Sequence, residues 1–347
     1  MLRIGIIGAG AISTNHITNY LANDDCEIVA ISDINEERAK LVADKYGIRN
    51  IFTDYHDILN DDSIDAVSII TPTFTHKQIV LDAIKSHKHI LCEKPPALNA
   101  DEVREIAEAL KGYDKAFMFA MVRRFSNQVQ YMKKYIESGK MGKVICAEAV
   151  RINLMSKKNG WFASRKLGGG SLRDEAIHEL DLILYIMGYP KATKVTAFES
   201  HLQNDLAHKI NGIGKGYGSA DTNSYQNDTE DIIKGFITLD NGANLIVKSG
   251  SVCLSHKRGT YTEIVGEKAG AVMEGQLKMY EISDDLYIRE SMPLIDDNPA
   301  FADEIRHFLD CCAKGTECIV KPEEAVTLME IIDAMYKSAE TGETVVL

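Results

Sequence analysis

The chain has 347 residues, enough for two domains sharing a cleft rather than one core, and its 45% apolar and 26% charged residues are ordinary for a soluble globular protein. With 39 basic against 51 acidic side chains the net charge is −12, which argues against nucleic acid and anionic membranes as partners. No apolar run approaches the ~20 residues of a membrane span, and no secretory leader is expected ahead of the first strand. The seven cysteines are scattered, form no CxxC pair and share no zinc spacing with histidine. The expectation is a cytoplasmic protein with reduced thiols and no metal site.

The first 33 residues read as strand, glycine turn, helix, strand, acid. An apolar strand over residues 2–7 runs straight into Gly8-Ala9-Gly10-Ala11-Ile12-Ser13, a helical stretch reaches Leu21, and a second apolar strand, Ile28–Ile31, ends at Asp33. In that context a glycine fingerprint means dinucleotide binding. Gly8 permits the tight turn. Gly10 lets the backbone approach a pyrophosphate, and Ala11 and Ile12 open a helix whose free N–H groups face the phosphates. A carboxylate at Asp33 accepts the ribose hydroxyls and repels a 2′-phosphate, which favours NAD over NADP. The third fingerprint position is Ser13 rather than Gly or Ala, still small enough for close helix–strand packing.

Strands and helices alternate over the next ~90 residues, as in a doubly wound parallel sheet. A helix from Asn35 to Lys45 stops at Gly47. A buried strand, Ala66–Ile70, ends in Thr71-Pro72-Thr73, and a helix follows from Thr75 to His87. The strand His89–Cys92 ends in Glu93-Lys94-Pro95-Pro96. Asn99 caps a helix reaching Leu110, and Ala116–Met121 is a further strand. The carboxyl ends of these strands line the cofactor crevice, which makes Thr71, Pro72, Thr73, Glu93 and Lys94 cofactor-side candidates. His76 either lies beside the cofactor or caps a helix.

From about residue 123 the pattern changes, giving domains 1–122 and 123–347. After a helix, Asn127–Ser138, come longer β segments: Val144–Asn153, a hairpin of Ile232–Leu239 and Ala243–Ser249 through Asn241-Gly242, then Tyr261–Val265, Ala271–Glu274 and Leu277–Glu281. This predicts a mostly antiparallel sheet with helices on one face. Helices over Ala300–Lys314 and Glu323–Thr341 close the chain. Residues 203–229 are rich in Gly, Asn, Asp and Ser, and two readings stand for them: a surface excursion, or an arm near an active site or subunit contact.

Two segments carry groups suited to chemistry. In Gly168-Gly169-Gly170-Ser171-Leu172-Arg173-Asp174-Glu175-Ala176-Ile177-His178, the glycines break structure and a helix starts, with Asp174 and His178 four apart on one face. A carboxylate and an imidazole so placed suit proton transfer; the same spacing also describes a solvated pair. Lys94, just past a parallel strand, is placed to stabilise a developing alkoxide, unless it is a surface lysine in a turn.

Taken together, the glycine fingerprint, Thr71-Pro72-Thr73 with His76, Glu93-Lys94-Pro95, Arg123-Arg124-Phe125 and the Gly168–His178 run resemble the Gfo/Idh/MocA oxidoreductase family over nearly the whole chain. The resemblance implies an N-terminal Rossmann domain and a C-terminal α/β domain with an open, mostly antiparallel sheet. It implies a homodimer or homotetramer formed through such sheets. It also implies Lys94, Asp174 and His178 as catalytic residues and contacts from Trp161 and Arg165 to cofactor or substrate. Ala176 stands where the family commonly has glycine. The function expected is hydride transfer between NAD and a secondary alcohol of a sugar, sugar derivative or cyclitol. Two alternatives stay open: an NAD-dependent lyase or glycosidase with transient internal redox, and a non-catalytic sugar or nucleotide sensor.

Overall fold

In the computed structural model, the described residues are 1–153, 158–201, 217–218, 227–251, 253, 255–284 and 286–347. The expected 203–229 loop lies outside them except for 217–218 and 227–229. The described residues form two compact units, Met1–Phe125 with Asn298–Val326, and Ser126–Asp297 with Thr327–Leu347.

The first unit runs β1 (Leu2–Ile7), α1 (Ser13–Leu21), β2 (Cys26–Ser32), α2 (Glu36–Tyr46), β3 (Asn50–Phe52), the single turn α3 (His56–Leu59), β4 (Ala66–Ile69), α4 (Thr73–Lys85), β5 (His89–Glu93), α5 (Ala100–Ala109) and β6 (Phe117–Ala120). The strands are parallel in the order β3-β2-β1-β4-β5-β6. The order reverses between β1 and β4, so the ligand crevice of this sheet lies outside the carboxyl ends of those two strands. Helices cover both faces, and the strands are therefore continuous apolar runs. Ile4, Ile6, Ile31, Val67, Ile69, Ile90 and Leu91 have no exposed surface. The Asn35 and Asn99 side chains accept the Arg38 and Glu102 N–H groups at the starts of α2 and α5. α4 begins at Thr73, two residues before the expected start, because Pro72 leaves β4 extended and lacks an N–H that the first turn would not use.

The last helix of this unit, α8 (Ala300–Lys314), falls on the other side of the boundary expected at residue 122. Its buried stripe of Ile305, Phe308, Leu309 and Cys311 packs on α1 and on the 3-10 turn Val122–Phe125. The Phe125 and His307 rings lie 5.5 Å apart. The fully buried Arg124 donates to the Ile319 carbonyl at 3.0 Å and pairs with Glu324. Periodicity identifies an amphipathic stripe but not the surface that receives it, so this return of the chain was not legible in the sequence.

The second unit contains α6 (Asn127–Glu137), β7 (Val144–Ile152), β8 (Lys158–Asn159), 3-10 turns at Gly160–Ala163 and Arg165–Leu167, a π-helical stretch at Ser171–Ala176, and α7 (Ile177–Ile186). It continues through β9 (Ala192–Ser200), β10 (Tyr217–Gly218), β11 (Ile232–Leu239), β12 (Asn244–Gly250), β13 (Gly259–Gly266), β14 (Ala269–Glu274), β15 (Gln276–Ile282) and β16 (Ile288–Ser291). It ends with the larger part of α9 (Pro322–Thr341) and β17 (Val345–Val346). β8 and β10 pair with each other. The remaining strands form a sheet in the order β16-β15-β14-β13-β7-β12-β11-β9-β17, antiparallel except for β12 against β7. One face, including Val195, Ile233, Ile237, Leu245 and Val247, is buried, and Gly235 lets Met335 of α9 lie close against β11. On the opposite face Phe198 and Phe236 are 56% and 50% exposed.

Candidate functional site

The glycine turn after β1 is shaped by its neighbours. Gly8 has φ +106°, and a Cβ there would lie 2.5 Å from the Ile70 carbonyl oxygen, so any side chain would collide with the backbone following β4. At Gly10 a Cβ would meet nothing within 4 Å. The surface above the turn is open, and Ala11 and Ile12 are exposed at the start of α1. The N–H groups of a first helical turn have no intrahelical acceptors, so this surface fits a dinucleotide pyrophosphate. Asp33 closes the turn: its Oδ2 accepts the Ala9 N–H at 2.9 Å and its Oδ1 the Asn35 N–H at 2.8 Å. The Arg38 guanidinium lies 3.7 Å from Asp33 Oδ2.

Beside the turn, β4 and β5 end in loops tied together by His76. This ring has no exposed surface; its Nδ1 lies 2.8 Å from the Pro95 carbonyl oxygen and its Nε2 2.8 Å from that of Thr71. Burial lowers its pKa in spite of the two acceptors, and a neutral imidazole donates to only one of them at a time. The ring is enclosed and joins two strand ends. Glu93 is likewise turned inward. Its Oε1 is 2.9 Å from His16 Nε2 on α1, and its Oε2 accepts the Lys94 N–H at 3.0 Å. Burial opposes ionisation of Glu93, but the His16 hydrogen bond and the charges of His16 and Lys94 outweigh it and hold the carboxyl below its ordinary value. Glu93 thereby fixes the backbone from which Lys94, half-buried, projects. Thr71 and Pro72 are half-buried at the end of β4, whereas Thr73 is buried.

In the second unit the Gly168–His178 run departs from a simple helix start. Ser171–Ala176 is π-helical and α7 begins only at Ile177, so Asp174 and His178 are carried by a wider turn than expected. Such turns concentrate at functional sites. Asp174 is buried and His178 half-buried. Glycine is required before this turn: Gly170 has φ +118°, and a Cβ there would lie 2.7 Å from the Tyr336 hydroxyl and 2.9 Å from Glu230 Oε2.

Sequence reasoning missed Glu230, which is fully buried 59 residues beyond Ser171 in the chain. Its Oε1 accepts the Ser171 hydroxyl at 2.9 Å, the Leu172 N–H at 2.8 Å and the Tyr336 hydroxyl at 3.3 Å. Arg165 Nη2 lies 3.5 Å from its Oε2. Arg165 itself donates to both oxygens of Glu199, at 3.1 and 2.6 Å, and its guanidinium covers one side of the Tyr336 ring at 4.5 Å, with Arg173 at 5.1 Å from the same ring. Burial works against the Arg165 charge, and the Glu199 hydrogen bonds and Glu230 charge more than offset it. Burial, with the Glu230 charge, pushes the Tyr336 hydroxyl well above its ordinary pKa. Trp161 stacks on Phe162 with ring centroids 3.7 Å apart. The ends of β7 and the π-turn are joined by Asn153, which donates to Glu175 at 3.0 Å, and by Arg151, 3.5 Å from Glu175 and 3.8 Å from the buried Glu179. No motif marked these contacts, since their members come from elements far apart in the chain.

Comparison with known proteins gives two domain matches along the chain. Residues 2–121 match the oxidoreductase family with an NAD-binding Rossmann fold, and residues 133–347 match that family's C-terminal α/β domain. D-glucoside 3-dehydrogenase of Escherichia coli K12 is 28% identical, with 100% of this chain and 97% of the relative covered. Inositol 2-dehydrogenase of Rhizobium meliloti 1021 is also 28% identical, with 97% and 96% covered. Among solved structures, levoglucosan dehydrogenase in complex with NADH and levoglucosan shares the fold with a TM-score of 0.84 at 23% identity, covering 99% of each chain. With both of its domains matched by the family and its glycine turn shaped for a dinucleotide, the chain belongs to the Gfo/Idh/MocA family of NAD-binding oxidoreductases.

Proposed function

We propose that the protein is an NAD-dependent dehydrogenase acting on a secondary alcohol of a sugar, sugar derivative or cyclitol. It works in the cytoplasm as a homodimer or homotetramer. The observation that carries the cofactor side of this reading is Asp33, whose carboxylate is held at the glycine turn by the Ala9 and Asn35 N–H groups. The substrate class is supported by relatives named for glucoside and inositol oxidation. Assembly through the uncovered sheet face is supported by the exposed Phe198 and Phe236.

When bound, NAD supplies the hydride acceptor. His178 takes the proton from the substrate hydroxyl, the general-base role to which imidazole side chains are suited. Lys94 donates a hydrogen bond to the reacting oxygen and stabilises its developing negative charge. Asp174 orients the imidazole or a substrate hydroxyl. Gly8, Gly10, Ala11, Ile12, Asp33, Thr71 and Pro72 hold the cofactor. Arg165, paired with Glu199, and Trp161 shape the approach to the π-turn.

Asp33→Ala should weaken NAD binding by ~10–100-fold, since hydrogen bonds to a charged group contribute ~1.5–3 kcal/mol. NADP should bind better than to the wild type, because Arg38 loses its carboxylate partner and can meet a 2′-phosphate. Calorimetric titration with each nucleotide checks both effects; unchanged NAD affinity overturns the role of Asp33. The activity itself is tested by incubating the protein with NAD or NADP and polyols, aldoses, cyclitols and uronic acids while following reduced nicotinamide. Reduction with one substrate group supports the dehydrogenase. Product without net NADH instead identifies a lyase or glycosidase with internal redox, and NAD binding without turnover identifies a sensor.

A further inference from the structure

The turn carrying Asp174 and His178 lacks the capping that a helix of its own sequence would supply. Its preceding residue, Gly170, has no side chain to accept the first N–H groups. A buried carboxylate from another part of the chain takes that place. Glu230 accepts the Leu172 N–H at 2.8 Å and the Ser171 hydroxyl at 2.9 Å, two donors on consecutive residues at the start of the π-turn. The missing side chain of Gly170 is what admits Glu230 and Tyr336 so close to the backbone.

We propose that Glu230 is a positioning residue for the proton-transfer step, acting through Ser171 and Leu172 to set where Asp174 and His178 stand. The inference rests on the proposed roles of those two residues. Three features distinguish Glu230 from an incidental buried acid. Its Oε1 accepts from three donors while its Oε2 faces the Arg165 guanidinium, so every partner it meets is a donor or a cation. Its countercharge, Arg165, is itself fixed by both oxygens of Glu199 and by the Tyr336 ring. Arg165 also ties the flanking backbone on both sides: its N–H donates to Asp228 at 2.6 Å, and its carbonyl accepts from Arg173 Nη1 at 2.9 Å. The residues before, within and across from the π-turn thus converge on one carboxylate, which leaves the turn little freedom to slide along the chain.

Two substitutions separate placement from folding. Glu230→Gln keeps the volume and an acceptor at the Oε1 position, but it removes the charge facing Arg165 and turns an NH₂ group towards that guanidinium. Ser171→Ala removes one hydroxyl and disturbs little else. Glu230→Gln should lower kcat by ~10–100-fold, the scale of an ångström-level misplacement. The substrate KM and the NAD dissociation constant should stay within ~2-fold, and amide hydrogen exchange across 168–178 should rise. Ser171→Ala should give a fall of ~3–10-fold in kcat by loss of a single hydrogen bond. An unchanged kcat in Glu230→Gln overturns the inference, as does a fall in kcat without faster exchange in 168–178. If the wild type oxidises no sugar or cyclitol, the dehydrogenase reading fails. Unchanged exchange in Glu230→Gln would then overturn the hold of Glu230 on the turn independently.

Discussion

Replacing His178 with alanine is expected to lower kcat by ~10²–10⁴-fold, the range over which a positioned general base contributes. The imidazole is half-buried at the start of α7, close in sequence to the buried Asp174, and the preceding π-turn contains no histidine. Lys94→Ala should cost ~10²–10³-fold, as loss of one oxyanion donor does elsewhere. Because Glu93 and His76 hold the Lys94 loop through its backbone and through His16, the alanine variant should fold and bind NAD as the wild type does. Steady-state kinetics with nucleotide titration as control checks both. Turnover near wild type in both variants would remove Lys94 and His178 from the mechanism.

Gly8→Ala should destabilise the protein by ~2–5 kcal/mol, combining a positive φ that L-residues rarely adopt with an overpacked contact. The contact is with backbone: the added Cβ would lie 2.5 Å from the Ile70 oxygen and 2.8 Å from its carbonyl carbon, so no rotamer change relieves it. The strain falls between the ends of β1 and β4, where the sheet order reverses, and nucleotide affinity should fall together with stability. Gly10→Ala provides the contrast. Its Cβ meets nothing, so it should leave stability within ~0.5 kcal/mol of wild type, as for an unconstrained surface change, while obstructing the pyrophosphate. Urea denaturation midpoints of the two variants measure the difference; equal midpoints would overturn this account of Gly8.

Apart from β3, the parallel sheet was legible in the sequence because its strands are short apolar runs bounded by turn residues, and the Asn35 and Asn99 caps stand at the expected helix starts. The hairpin through Asn241-Gly242 was legible for the same reason, and the two strands pair from Ile232 with Gly250 to Thr238 with Asn244. β9, β16 and β17 were not anticipated. β16 is exposed along most of its length, and β17 has only two residues, so neither offers an apolar period to read. The glycine turn, Asp33 and the Gly168–His178 run announce themselves through residue types at fixed spacing. His76 and Glu93 also stood out by type, but only burial distinguishes a side chain that touches a ligand from one that secures the loop next to it. Glu230 and Arg151 escaped notice because their partners lie tens of residues away, and pairing at that distance is decided by strand register.

The return of residues 298–326 to the first unit has a consequence for how the protein is made. Burying Ile305, Phe308 and Leu309 contributes ~1.5–3 kcal/mol each, a sum comparable with the whole stability of a domain. During translation the ribosome must add about 170 further residues between Phe125 and Asn298, roughly 10–35 s at typical elongation rates, before that helix exists. Throughout that interval the nascent nucleotide-binding half carries α1 without the helix that packs on it, while the intervening sheet emerges and can fold. Sequence order and folding order are thereby reversed: the segment synthesised first is completed late, and a fragment ending near residue 122 should be a client for chaperones rather than an independent domain.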